Sequence, residues 1–69
     1  KINLLMQELG LTSREMEISL LIREGFKDAE ISDRLFISLH TTKNHIKSIH
    51  KKLNVHDRGQ LVAKLNQSS

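Results

Sequence analysis

The stretch SLHTTKNHIKSIHKKL, residues 38–53, limits what this chain can fold into more than any other. At 100° per residue, Leu39, Thr42, Ile46, Ile49 and Leu53 share one stripe of a helix. The adjoining flank carries His40, Lys43, Asn44, Lys47 and Lys51 and no carboxylate. One helix thus has a side that must be buried and a side suited to an anion. Ser38 precedes it as an N-cap, its hydroxyl able to accept from the unpaired N–H groups of the first turn. The pattern defines a candidate nucleic-acid reader, provided the rest of the chain holds it outward.

The rest of the chain supplies more helix. It contains no proline, cysteine or tryptophan and only two phenylalanines, so its core must come from Leu, Ile and Met. That composition predicts an all-α domain. At 69 residues it is one small domain, burying only ~60 % of its unfolded surface. Without cysteine there is neither a disulfide framework nor a thiolate zinc site, which fits a reducing, cytoplasmic setting. No apolar run approaches the ~20 residues that span a bilayer, and no signal-peptide pattern is present, so no membrane association is expected. The chain begins at Lys1 and reads as a piece of a longer protein.

Charge is segregated along the sequence. Residues 1–33 hold Lys1, Arg14, Arg23 and Lys27 against Glu8, Glu15, Glu17, Glu24, Asp28, Glu30 and Asp33. Residues 34–56 hold Arg34, Lys43, Lys47, Lys51, Lys52 and all four histidines, with no acid. One side of the domain should therefore face a polyanion. A solvated basic helix is the bland alternative, and on charge alone the two weigh about evenly.

Taken in order, residues 1–10 form a linker or short N-terminal helix, with Ile2, Leu5, Met6 and Leu9 on one side and Gly10 ending it. It is expected to fold back on the domain, with a dimer contact as the alternative. Thr12 and Glu15 make a capping box for a helix that runs to about Glu24 and stops at Gly25. Its inward residues are Ile18, Leu21 and Ile22. Met16 and Leu20, on the opposite side, are expected against residues 2–9 or in a partner-binding patch. Asp28 is the expected N-cap of a short helix over 29–35, with Ile31 and Leu35 inward and Ser32 where close packing needs a small side chain. Phe36 and Ile37 make a tight connection to the basic helix, a helix-turn-helix arrangement. Asn54 can take the left-handed conformation that ends it. Asp57 and Gln60 form a second capping box; Leu61 and Leu65 then face the core, while Val62, Ala63 and Asn66 lie partly outward. Gly59 weakens this last helix by about 1 kcal/mol, and residues 67–69 should be a disordered tail.

These pieces in this order resemble a known family. LTSREMEI (11–18), the Gly25 turn, AEISDRLFIS (29–38), TTKNHIKSIHKKLNV (41–55) and DRGQLV (57–62) are similar to the LuxR/GerE-type helix-turn-helix domain, the C-terminal DNA-binding module of many bacterial response regulators and quorum-sensing activators. The resemblance implies a four-helix domain over 11–66, with a possible extra N-terminal helix. In it the third of the four helices, residues 39–53, enters the major groove of double-stranded DNA, and the fourth commonly forms a homodimer contact. Position by position, Lys43, Asn44 and Lys47 match the base-reading places. His40, Thr41, His45, Lys51 and Lys52 match or flank places expected on the DNA backbone, and Val62, Ala63 and Asn66 fall in the expected dimer contact. A missing N-terminal regulatory domain and RNA polymerase are the further partners implied. The chain departs from the pattern at Thr42, where Val is usual; at Ser19, usually apolar; at Leu39-His40, usually polar or acidic; and at Asn54 and Gly59, usually Gly and Thr or Ser. Gly59 weakens the expectation of a dimer through the last helix.

Chemistry supports the assignments. Lys43 and Lys47, four apart, can reach guanine N7 and O6, and the Asn44 amide suits adenine N6 and N7. Lys51 and Lys52 lie later and suit phosphate, which positions without specifying sequence. His40, His45, His50 and His56 are spaced so that neighbours fall on different helix faces, so no metal site and no cofactor are expected. Helices alone offer no pocket or oxyanion arrangement, and no enzyme activity is expected. The alternative function is a basic-helix interaction module for RNA or an acidic protein partner.

Overall fold

A computed structural model describes residues 2–67, with no account of the side chains of Ile2, Asn3 and Leu5. Among the described residues there are five helices and no strand: α1 (Ile2–Glu8), α2 (Ser13–Arg23), α3 (Asp28–Leu35), α4 (Leu39–Leu53) and α5 (Arg58–Asn66). α4 packs against both α2 and α3, and α5 closes against α2. Met6, Leu11, Ile18, Ile22, Ile31, Ile46, Ile49, Leu53, Leu61 and Leu65 form the core. Met6 ties α1 to it, while the stripe partners expected at Ile2 and Leu5 lie outside the described side chains.

The first turns form as their capping residues dictate, with two adjustments. Thr12 Oγ1 accepts from Glu15 N and Glu15 Oε1 accepts from Thr12 N, a reciprocal box. Ser38 Oγ accepts from Thr41 N at 3.0 Å, and Asp57 Oδ1 accepts from Gln60 N at 2.8 Å. The expected second box is displaced, because Gln60 Oε1 reaches past Asp57 to accept from His56 N at 2.7 Å. Asp28 is not the cap of α3 but its first residue. Glu30 Oε1 takes the Lys27 N–H at 2.7 Å, and the Asp28 carboxylate instead receives Arg58 Nη1 at 2.7 Å. Arg58 also donates to the Phe26 carbonyl, so one guanidinium joins the start of α5 to the turn before α3.

The ends of α1 to α4 share one device. Gly10, Gly25, Phe36 and Asn54 all have positive φ, at 83°, 99°, 57° and 56°. At each, the left-handed residue and its successor donate back to the closing turn, for example Gly25 N to Ile22 O and Phe26 N to Leu21 O at 3.0 and 3.1 Å. Phe36 N donates to Asp33 O and Ile37 N to Ser32 O in the same way, although a Cβ makes that backbone costly. Its ring is 94 % exposed, so packing within the domain does not offset the cost.

The core carries polar groups of two kinds. Ser32 Oγ donates to Asp28 O, so its contact of 2.8 Å with Thr42 Oγ1 has the threonine as donor. The hydroxyl at position 42 therefore joins α3 to α4, which a valine there would not do. Ser19 is fully buried and its hydroxyl has no hydrogen-bond partner. Met16, Leu20, Leu21 and Leu35 are half-buried against the core. Leu20 lines a surface hollow with Leu21, Leu35, Glu17, Glu24 and Arg34. At the other end, Gln67 N closes α5 on Ala63 O at 3.1 Å; of the expected disordered tail, residues 68 and 69 lie outside the described residues.

Candidate nucleic-acid interface

α4 runs unbroken for 15 residues, a rod of about 22 Å. Thr42, Ile46, Ile49 and Leu53 are its buried stripe. On the side away from the core, His40, Asn44, Lys47 and Lys51 are exposed in a single file, with Lys43 exposed beside them. Leu39 is 43 % exposed at the helix start rather than buried with the stripe. No acidic residue lies in the first turn of α4, whereas α2 has Glu15 there and α3 has Asp28 and Glu30. The partial positive charge of that N-terminus is thus left without a carboxylate of its own.

The rod is clamped on the opposite flank by Glu15. This carboxylate is 4 % exposed and accepts Ser48 Oγ on one oxygen and Lys52 Nζ on the other, each at 2.7 Å. Burial alone would raise the Glu15 carboxyl; hydrogen bonds from Lys52, Thr12 N and Ser48, with the Lys52 charge, outweigh it and bring the pKa from 4.5 to about 2. Lys52 Nζ also donates to Gly10 O at 3.1 Å. Lys52, expected on phosphate, has its ammonium on the Glu15 carboxylate and the Gly10 carbonyl, where it holds the C-terminal half of α4 against α2 and the α1–α2 turn.

The remaining expected site residues are distributed as follows. Thr41 is half-buried, its Oγ1 accepting from Ser38 Oγ at 2.9 Å and still able to donate. His45 is half-buried on the Glu15 side of the helix. The His40 ring lies one turn before Asn44, with Nε2 at 3.2 Å from Asn44 Nδ2. On α5, Ala63 and Asn66 are exposed and Val62 is half-buried, and Asn66 Oδ1 accepts from Arg23 Nε at 3.2 Å. The sequence marks Glu15 as a cap and a partner for nearby basic side chains; its bonds to Ser48 and Lys52 depend on how α2 and α4 cross. Nothing in the sequence alone signalled the Arg58–Asp28 pair. Among the described residues no group of three or more His, Asp or Glu side chains is placed to hold a metal ion. No described helix is long and apolar enough to cross a membrane.

Comparison with known proteins matches this geometry to a family. The model for bacterial regulatory proteins of the luxR family (GerE) matches residues 9–65. The transcriptional regulatory protein LiaR of Bacillus subtilis is 52 % identical over 51 residues, 74 % of this chain and 24 % of LiaR. The response regulator protein VraR of Staphylococcus aureus is 48 % identical over 52 residues, 75 % of this chain and 25 % of VraR. VraR of Staphylococcus epidermidis matches to the same extent, 48 % over 52 residues. The chain thus spans about a quarter of the length of these relatives. With its family model covering residues 9–65, most of its length, the chain belongs to the luxR family of bacterial regulatory proteins.

Proposed function

We propose that this chain binds double-stranded DNA sequence-specifically, as the output domain of a bacterial transcription regulator, with α4 in the major groove. The observation that carries this reading is the exposed file His40, Asn44, Lys47 and Lys51, with Lys43 beside it, on one continuous helix and free of acid. A major groove about 12 Å wide admits a helix, and side chains on its outer face then meet base edges. Lys43, Asn44 and Lys47, from the second turn of the rod to just past its middle, are the base-reading residues. Thr41, His45 and Lys51 take phosphate. Anion binding is favoured further by the N-terminus of α4, which Ser38 caps without adding charge.

The dimer contact is assigned to α5, where Val62, Ala63 and Asn66 share a face. Two copies would engage half-sites about one helical turn apart. LiaR and VraR carry the matched segment as a quarter of a longer chain. By analogy this domain works beside a regulatory domain, in the cytoplasm, toward RNA polymerase. No enzymatic step is assigned to it.

The test is selection from a pool of randomised duplexes. An enriched motif, lost at defined positions in Lys47→Ala, supports the reading. Equal retention of all duplexes, or preference for RNA or an acidic protein at the same ionic strength, overturns it.

A further inference from the structure

Asn44 is the proposed base reader whose recognition depends on which way its side chain faces. Its amide presents an oxygen that only accepts and a nitrogen that only donates, and the two exchange places on a half-turn. Adenine in the major groove offers N7 to a donor and N6–H to an acceptor, so a correctly turned amide bonds both edges at once. An exposed asparagine with no neighbour would divide itself between the two orientations.

The structure supplies a neighbour. Asn44 Nδ2 lies 3.2 Å from His40 Nε2, one helical turn earlier on the exposed file. Because the amide nitrogen has no acceptor capacity, Nε2 accepts in this arrangement, which uses the tautomer with the ring proton on Nδ1. One of the two amide hydrogens is committed to the imidazole. The other remains beside Oδ1, forming the donor–acceptor pair that adenine requires. Turning the amide over would require the imidazole to move its proton to Nε2 as well, since Oδ1 would otherwise face the Nε2 lone pair. The other exposed side chains around Asn44 are Lys43, Lys47 and Lys51, which carry only donors. On this exposed face His40 is the residue with an acceptor for the amide nitrogen.

We propose that His40 is a positioning residue for Asn44, holding its amide in the orientation that selects adenine, rather than a contact to phosphate. The inference rests on the DNA-reading role proposed above. It assigns part of the base specificity to a side chain that need not touch the base, through preorganisation of one that does.

The experiment is duplex selection with the 69-residue chain, run in parallel for the unaltered protein and the His40→Ala, His40→Gln and Asn44→Ala variants. The expected motif has one adenine-preferring position that Asn44→Ala makes degenerate. His40→Ala should reduce the preference at that same position roughly tenfold, leaving the other positions and the salt dependence unchanged. His40→Gln should restore most of it, because the glutamine Oε1 can accept in place of Nε2. Both positions are exposed, and circular dichroism checks that the variants keep their helices. An unchanged adenine preference in His40→Ala overturns the inference. So does an equal loss of affinity for all duplexes with a flatter salt dependence, which would mark His40 as a phosphate contact. If the unaltered chain enriches no motif, the DNA-reading function itself fails and the inference with it, a result distinct from failure at His40 alone.

Discussion

Phe36 carries two costs at one position. Its φ of 57° puts a Cβ in the left-handed region, which disfavours L-residues by about 1–2 kcal/mol. Its ring is 94 % exposed and gains almost nothing by burial. The same turn is made without strain by Gly10 and Gly25, and with little by Asn54. Phe36→Gly should therefore stabilise the domain by about 0.5–1 kcal/mol, after subtracting the extra freedom glycine gains in the unfolded chain. Thermal unfolding would show a rise of roughly 3–5 °C; a fall would mean that the ring packs against the domain after all. Gly10, Gly25 and Asn54 announced their turns in the sequence, because their residue types favour that backbone. Phe36 did not, since phenylalanine has no such preference. Only the need to end α3 and start α4 within three residues forces it there.

At the scale of elements, the decisive contact is between the first turn of α2 and the last turns of α4. Glu15 was legible as a helix-capping residue, because a cap depends on neighbours three residues away. Its role as a clamp on Ser48 and Lys52 depends on how α2 and α4 cross, which no local pattern encodes. The same holds for Thr42, whose hydroxyl looks like a polar flaw in an apolar stripe until Ser32 is placed opposite. The clamp has a pH signature. The Glu15 carboxyl has a folded pKa below its ordinary value, so its contribution is complete above about 4.5 and is lost as pH falls toward about 2. That shift corresponds to at most about 3 kcal/mol. Urea unfolding should show stability falling steeply across this window. Glu15→Gln should be less stable at neutral pH and flatter below 4.5, the ordinary carboxyl value. A protein equally stable at both ends of the window would rule the clamp out.

For the molecule as a whole, the clamp and the exposed file of α4 divide one run of basic residues between them. Lys51 and Lys52 are adjacent in sequence, and both suited phosphate on charge alone. A single residue step on a helix is a rotation of about 100°. That step leaves Lys51 on the exposed file, while Lys52 reaches Glu15 and Gly10. The two lysines should separate by experiment. A phosphate contact releases a counterion, contributing about 0.9 to the slope of log affinity against log salt, and it stabilises all DNA sequences alike. Lys51→Ala should therefore flatten that slope by about one contact, weaken binding uniformly, and leave the unfolding midpoint nearly unchanged. Lys52→Met keeps most of the side chain's bulk but removes the partner of a buried carboxylate. It should lower stability by about 1–2 kcal/mol, the charge-assisted bond being partly open to water, and leave the salt slope as it was. Measuring both variants in urea and in a salt titration on one duplex tests the division directly. Interchanged results, with Lys52 setting the salt slope and Lys51 the stability, would mean that α4 is rotated from the position described. The file of His40, Asn44 and Lys47 would then no longer be the exposed side of the helix.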